Sequence, residues 1–186
     1  KNIVSWCAIM WGYVEQGQGC VSLDLLEKMH EEDIKPNKIA FLCALKACEH
    51  LRSLNSVMLV YDLIVKGGFE LDMAIGTATI DMYSVYGSLS ESWKVFNMLQ
   101  TQDVVAWSAM ITAYCQHGDG NSAAELFKKM HLLGLNPDKI MISAIIKAYT
   151  LQRNLVQCML IHHETTHDGF DNDCIVRHTL INMYAK

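Results

Sequence analysis

Proline is almost missing from this sequence. Only Pro36 and Pro137 occur among 186 residues, and they stand 101 positions apart, so the stretches between them are free of the residue that breaks helices. Apolar content is high at 51%, yet no uninterrupted apolar run approaches the ~20 residues that cross a bilayer. That excludes a membrane helix, and with it a membrane partner, as the destination of the apolar surface. A basic excess is also lacking: 15 Lys and Arg face 20 Asp and Glu, for a net charge of −5. Such a balance argues against a strongly electrostatic nucleic-acid binder, which needs clustered cations to neutralise phosphates, but leaves room for one locally basic groove. Seven cysteines form an odd set without any Cys-x-x-Cys, which points to buried, reduced thiols and not to a disulfide framework. The opening Lys1-Asn2-Ile3 lies inside the repeat pattern described below, so the lack of a Met or of a signal-like stretch there carries no weight, and any targeting segment is expected outside these residues.

What the sequence has in abundance is itself. A shift of 101 residues lays Trp6 on Trp107, Tyr13 on Tyr114, Gly17 on Gly118, Met29-His30 on Met130-His131 and Pro36 on Pro137. One offset that aligns so many positions marks a repeat array. The clearest unit is VVAWSAMITAYCQHGDGNSAAELFKKMHLLGLNPD, residues 104–138. It reads as two amphipathic helices, VVAWSAMITAYCQ and SAAELFKKMHLL, split at Gly118-Asp119-Gly120. Such a pair cannot bury both apolar faces alone, so it needs neighbours.

Counting outward gives units 3–37, 38–72, 73–103, 104–138, 139–173 and a partial unit 174–186. The second helix of the first unit shows Leu23, Leu26, Met29 and His30 at the spacing of one helical face. Ser90 is the expected N-cap of the second helix in unit 73–103. Trp6, Trp107, Met29, Met130, Phe96 and Phe127 are expected in the core, and His30 and His131 at helix ends. The fold class is all-α, an α-solenoid of stacked helical hairpins. Because both ends fall inside the repeat pattern, the expectation is a segment of a longer array.

Unit lengths of 35, 35 and 31 together with these motifs resemble the pentatricopeptide-repeat proteins of land-plant organelles, and their PLS subclass in particular. Residues 104–138 are similar to the P type, KIAFLCALKACEHL with GGFELD to the L type, and IDMYSVYGSLSESWKVFNMLQTQD to the S type. The resemblance implies a superhelix that binds single-stranded organellar RNA, one nucleotide per repeat, in RNA processing or C-to-U editing in a mitochondrion or chloroplast. Helical repeats that read one base through a few side chains suit unpaired RNA, whose base edges are accessible.

The resemblance also implies the contact residues. Base edges would face the fifth and last residues of each unit: Cys7 with Asn37, Leu42 with Asp72, Thr77 with Asp103, Ser108 with Asp138, and Ser143 with Asp173. Base rings would pack on the second residues, Val4, Ile39, Ala74, Val105 and Ile140. Thr77/Asp103 and Ser108/Asp138 carry the pattern for guanine, whereas Cys7 and Leu42 offer little hydrogen bonding. A phosphate-contacting Lys near the end of the first helix occurs only as Lys186; Glu15, Val85 and Gln116 stand at the matching places. The acidic balance and those substitutions keep a second expectation open, a protein-interaction scaffold within an organellar ribonucleoprotein or other assembly.

No catalytic constellation accompanies the repeats. The sequence lacks a Ser-His-Asp elbow, a phosphate-cradling Gly loop and the H-x-E with P-C-x-x-C zinc ligands of a cytidine deaminase. His163-Glu164-Thr165-Thr166-His167 is a literal H-E-x-x-H, the helical zinc-protease pattern. Its extended form fails at Gly169, and a third ligand would have to be Asp171, Asp173 or a distant Glu. The string reads as a chance match on a solvated helix end. The expectation is a non-enzymatic chain with neither cofactor nor metal.

Overall fold

The computed structural model describes residues 2–167 and 169–185, with the side chain of Asp171 outside that set. The fold is an all-α solenoid of stacked helical hairpins, and no strand occurs among the described residues. Helices run in order as α1 Ile3–Glu15, α2 Gly19–Glu31, α3 Lys38–Leu51, α4 Leu54–Lys66, α5 Met73–Val85, α6 Leu89–Met98, α7 Val104–Gln116, α8 Gly120–Leu132, α9 Lys139–Leu151, α10 Leu155–His167 and α11 Cys174–Tyr184. A short 3-10 turn, Phe170–Asn172, precedes α11. The chain divides into two compact bodies, Lys1–Thr101 and Gln102–Lys186.

In the first body the odd-numbered helices form one row, α1 against α3 and α3 against α5, while α2, α4 and α6 cover them. The second body has the same plan, with α7, α9 and α11 in a row and α8 and α10 packed against α9. Each hairpin closes through a glycine in the left-handed region after its first helix or its second. At Gly17, φ is +74°; the Gln18 N–H reaches the Tyr13 carbonyl and the Gly17 N–H that of Val14, both at 2.9 Å. This is the Schellman arrangement, which satisfies carbonyls that a helix end leaves open. Gly118 repeats it at φ +77°.

Large apolar side chains fill the space between the layers. Met10, Leu26, Met29, Phe41, Phe96, Met110 and Met130 are essentially inaccessible, and Trp6 and Trp107 are 5% and 4% exposed. Burying one such side chain is worth about 1.5–3 kcal/mol, so hairpin packing dominates each body's stability. Five cysteines are buried; Cys20 and Cys174 are exposed, and all seven are free thiols. Burial pushes Cys43 and Cys48 up to about 11 and Cys115 up to about 12; a charge at Cys7 would add to the shift at Cys43.

Three details differ from the sequence expectation. Helix α6 starts at Leu89 with Ser88 as its cap residue, which places Ser90 inside the first turn. The sharp turn at Gly87, φ +76°, lets the chain enter the helix sooner than a serine-based reading assumes. His30 is exposed although Leu26 and Met29 on the same helix are buried. One further residue, 100° on, carries it past the edge of the buried stripe. Helix α8 starts at Gly120, with Asp119 accepting from the Ser122 N–H at 3.1 Å and from its hydroxyl at 2.7 Å, so the cap lies inside the glycine-flanked turn.

Candidate nucleic-acid interface

The second residue of every first helix is exposed. Val4 (66%), Ile39 (57%), Val105 (58%), Ile140 (61%) and Ile175 (47%) are open to solvent, as is Ala74. Single exposed apolar residues are ordinary, but β-branched ones recurring at one register of each hairpin mark a surface with a task. Ile175 belongs to this row and was passed over because its unit is incomplete; the 35-residue step from Ile140 identifies it. Trp11 was also missed. It is 47% exposed, two turns along the same helix face from Val4, and its indole N–H donates to Glu15 Oε1 at 2.9 Å. The repeat register hides it, because Thr112 holds the matching place.

The last residue of each unit caps the next first helix. Asn37 Oδ1 accepts from the Ala40 N–H at 3.0 Å, Asp103 Oδ1 from Ala106 at 2.9 Å and Asp138 Oδ1 from Met141 at 2.7 Å. Asp72 Oδ1 takes the N–H groups of Ala74 and Ile75, and Asp173 Oδ1 those of Ile175 and Val176. Short polar side chains are preferred at this place because the first N–H groups of a helix have no partner within it, and the helix dipole favours an anion there. The cap fixes each side chain's orientation. With Oδ1 on the helix, Asp103 and Asp138 each keep Oδ2, an acceptor, and Asn37 keeps its NH2, a donor.

The fifth residues lie deeper. Cys7 is 6% exposed and Ser143 4%; Leu42, Thr77 and Ser108 are half-buried. Cys7 Sγ donates to Asn37 Oδ1 at 3.4 Å, which brings one fifth-and-last pair into contact. Burial pushes the Cys7 thiol up, keeping it protonated as a donor. Thr77 donates its hydroxyl to the Met73 carbonyl at 2.9 Å, leaving its lone pairs available. Ser143 Oγ is buried without a hydrogen-bond partner and lines a groove of about 410 Å³ with Thr112, Gln116, Ile140 and Lys147. A buried hydroxyl left unpaired costs free energy that an incoming polar group removes.

The two hairpins that start with Lys differ from the others. Lys38 Nζ lies 2.9 Å from Asp72, and Lys139 Nζ 3.5 Å from Asp173. Burial pushes the Asp72 carboxyl up, but the Lys38 hydrogen bond, the Ile75 N–H, the Lys38 charge and the Ala74 N–H together hold it below the usual carboxylate range. Asp173 is likewise held low, first by the Ile175 N–H and, against slight burial, by the Val176 N–H and Lys139. Lys186, the one phosphate-contacting Lys expected from the sequence, lies outside the described residues.

The H-E-x-x-H string falls on α10. His163, Glu164 and His167 are exposed while Thr165 is buried. They share an open cleft with Phe127, Lys128, His131 and Leu132. Asp171, the third ligand considered, has its side chain outside the described set. No group of three or more His, Cys, Asp or Glu gathers at metal-binding distance among the described residues.

Comparison with known proteins agrees with this architecture. Residues 102–150 match the PPR repeat family. A pentatricopeptide repeat-containing protein of Arabidopsis thaliana described as mitochondrial is 37% identical over 148 residues, covering 80% of this chain and 24% of the relative. Another from the same plant, described as chloroplastic, is 30% identical over 186 residues, 100% of this chain and 23% of the relative. The chain thus spans about a quarter of the length of the curated relatives it matches, 26% and 28% in two more. Among solved structures, the PPR domain of Arabidopsis protein-only RNase P 1, determined with tRNA, superposes with a TM-score of 0.72 at 12% identity over 96% of each chain. The maize pentatricopeptide repeat protein PPR10 gives 0.67 at 16% identity over 98% of this chain and 31% of that one. PPR10 in complex with an 18-nt psaJ RNA element gives 0.65 at 16% identity, covering 98% and 33%. At such identities the likeness is one of fold.

Proposed function

We infer that this chain is a tract of pentatricopeptide repeats, and from that premise that it binds single-stranded RNA along the solvent face of its first helices, one nucleotide per hairpin. The observation that carries the reading is the pairing, in hairpins 3–37, 73–103 and 104–138, of an exposed apolar second residue with a half-used cap side chain. Val105 and Asp138 are the clearest example: an isopropyl face for a base ring and a carboxylate with one oxygen on the helix and one left over. The outward oxygens of Asp103 and Asp138 accept from N–H donors on guanine or uracil, and with Thr77 and Ser108 as partners the family pattern selects guanine. Asn37 presents a donor instead and suits adenine or cytosine. Ala74, Ile39, Val4 and Ile140 serve as ring platforms, and Trp11 adds an indole on which a base can stack.

The wider role follows the relatives, which include proteins described as chloroplastic and mitochondrial. We assign the chain to a PLS-type organellar RNA-processing or C-to-U editing factor, with the tract supplying recognition and no chemistry. Fluorescence anisotropy with single-stranded RNA at ~100 mM salt tests this, since specific contacts persist where purely electrostatic binding fades. Guanine-bearing probes should bind at least tenfold tighter than cytosine-substituted ones. Equal affinity for both would end the reading.

A second reading, a protein-interaction scaffold, is favoured by Met58 and Leu59 on α4 and Met159 and Leu160 on α10. These matching residues are 48–63% exposed. Substituting all four by Ser should then abolish protein partners of the tract while leaving RNA affinity intact; retention of those partners would remove this reading.

A further inference from the structure

We propose that His163 and His167, in the final turns of α10, form a binding site for a divalent transition-metal ion, with Zn2+ the expected occupant and no catalytic role. The site stands apart from the first-helix face, and the proposal does not depend on the RNA-binding reading.

Helix α10 ends at His167, and the two histidines are four residues apart. That spacing sets their Cβ atoms about 5–6 Å from each other on one face. Two imidazoles so placed can each bring a nitrogen to about 2.0–2.1 Å from one ion. Both side chains are exposed and line a single cleft of about 670 Å³ whose walls are α8 and α10. The turn that carries them is held from its other side. Thr165 is 1% exposed, its hydroxyl donates to the His162 carbonyl at 2.7 Å, and the Thr166 hydroxyl donates to the His163 carbonyl at 2.8 Å. A helix C-terminus carries partial negative charge, which favours a cation there. His162 takes no part, because its Nδ1 lies 2.8 Å from the Tyr184 hydroxyl and its ring packs against that residue.

The repeat itself supplies a comparison. A shift of 101 residues lays His163 and His167 on Asp62 and Lys66 of α4. A carboxylate and an ammonium at those places offer no pair of neutral nitrogens, so the metal pair is particular to α10 and is no part of the hairpin plan. Among the described residues no group of three or more His, Cys, Asp or Glu gathers at metal-binding distance. Two protein ligands leave the other positions to water, short of the three that hold a catalytic zinc. Half the ligands of a four-ligand structural site place Kd at about 1–200 µM. Imidazole suits Zn2+, Ni2+ and Cu2+, whereas Mg2+ and Ca2+ take oxygen ligands. The other charged or titratable groups lining the cleft are Lys128 and His131 on α8 and Glu164 on α10. Behind Glu164 stands Tyr149 on α9, which burial above all pushes up to about 12, so it stays neutral. Lys128 and Glu164 oppose each other in sign and leave the imidazoles to set the pH response.

The test is titration calorimetry of the whole chain with ZnCl2 or NiCl2 at pH 7.5, after alkylation of the exposed Cys20 and Cys174. One equivalent should bind with the Kd given above. H163A and H167A should each weaken binding about tenfold or more, H163A/H167A should abolish it, and H131A should stay within about threefold of wild type. All four positions are exposed, and circular dichroism should show each variant folded. Binding should be about tenfold weaker or more at pH 5.5, because only the neutral imidazole ligates, and excess MgCl2 should not compete. At ten times Kd, Zn2+ should raise Tm by about 3 °C or more, a shift absent from H163A/H167A. No saturable binding below 1 mM, binding unchanged in H163A/H167A, or loss of binding in H131A overturns the proposal.

Discussion

Substituting Asp138 separates its two jobs. Its Oδ1 takes the Met141 N–H at 2.7 Å, and its Oδ2 is the atom proposed to face a base. Asp138→Asn keeps a good cap, since Asn and Asp rank together at that place. The variant loses only the charge term with the helix dipole, about 0.3–1 kcal/mol. Asp138→Ala loses the cap bond as well, about 1 kcal/mol more. For a chain of this size each kcal/mol lowers Tm by roughly 2–4 °C, so the Ala variant should melt visibly below the Asn variant, and the Asn variant close to wild type. RNA recognition should sort differently. The outward atom in Asp138→Asn becomes an NH2 donor, so guanine, which also presents a donor, should lose to adenine at that nucleotide. A charge-assisted hydrogen bond is worth about 1.5–3 kcal/mol, which converts to a preference change of about 10- to 100-fold. Scanning calorimetry and anisotropy on probes differing at one nucleotide read both effects. The reasoning is refuted if the Asn variant melts with the Ala variant, or if guanine preference survives the Asn substitution intact.

Gly19 on α2 has room for no methyl group: a Cβ there would sit 2.4 Å from the Ala47 carbonyl oxygen. Gly19→Ala should destabilise the first body by about 1–3 kcal/mol, whereas Gly120→Ala, which meets only the movable Gln152 side chain, should cost less; equal melting of the two would contradict this. Native thiol titration at pH 8 should show Cys20 and Cys174 reacting quickly and the five buried cysteines only in denaturant, and rapid labelling of Cys43, Cys48 or Cys115 would be inconsistent with their raised values. Asp72 is held below its usual range, so its contribution to stability is complete above the ordinary unfolded carboxyl value near ~4 and disappears as pH falls through the lowered folded value. Lys38→Met should therefore be less stable than wild type at pH 7, by at most about 1 kcal/mol for so exposed a pair, and the gap should close in acid; a gap that widens in acid would show that Lys38 acts otherwise.

The hairpins were legible because a period repeats its evidence. Trp6 and Trp107, Met29 and Met130, Pro36 and Pro137 each vouch for the other, and the buried members appear where helical spacing puts them. Boundaries were less legible, for local reasons. Gly87 lets α6 begin at Leu89, ahead of the serine that resembles a cap, and Arg52 and Arg153 hold the left-handed turns after α3 and α9 (φ +49° and +53°) where a glycine would be the usual signal. The second-residue row was visible as apolar residues at fixed places; its exposure was not, because periodicity alone cannot distinguish a face turned to the core from one turned to solvent. The depth of Cys7 and Ser143 depends on how closely neighbouring first helices pack, which no single helix encodes. The ion pairs Lys38–Asp72 and Lys139–Asp173 join residues 34 apart. They become meaningful only once the hairpin brings its first and last residues together.

Selection of bound sequences from a randomised single-stranded RNA pool tests the central claim most directly, when wild type and Thr77→Asn are run in parallel. The account predicts two guanine-enriched positions for wild type, assigned to the hairpins ending in Asp103 and Asp138. In the Thr77→Asn pool one of the two, and only one, should change to uracil. Pools without positional enrichment, or identical in the two proteins, would contradict it.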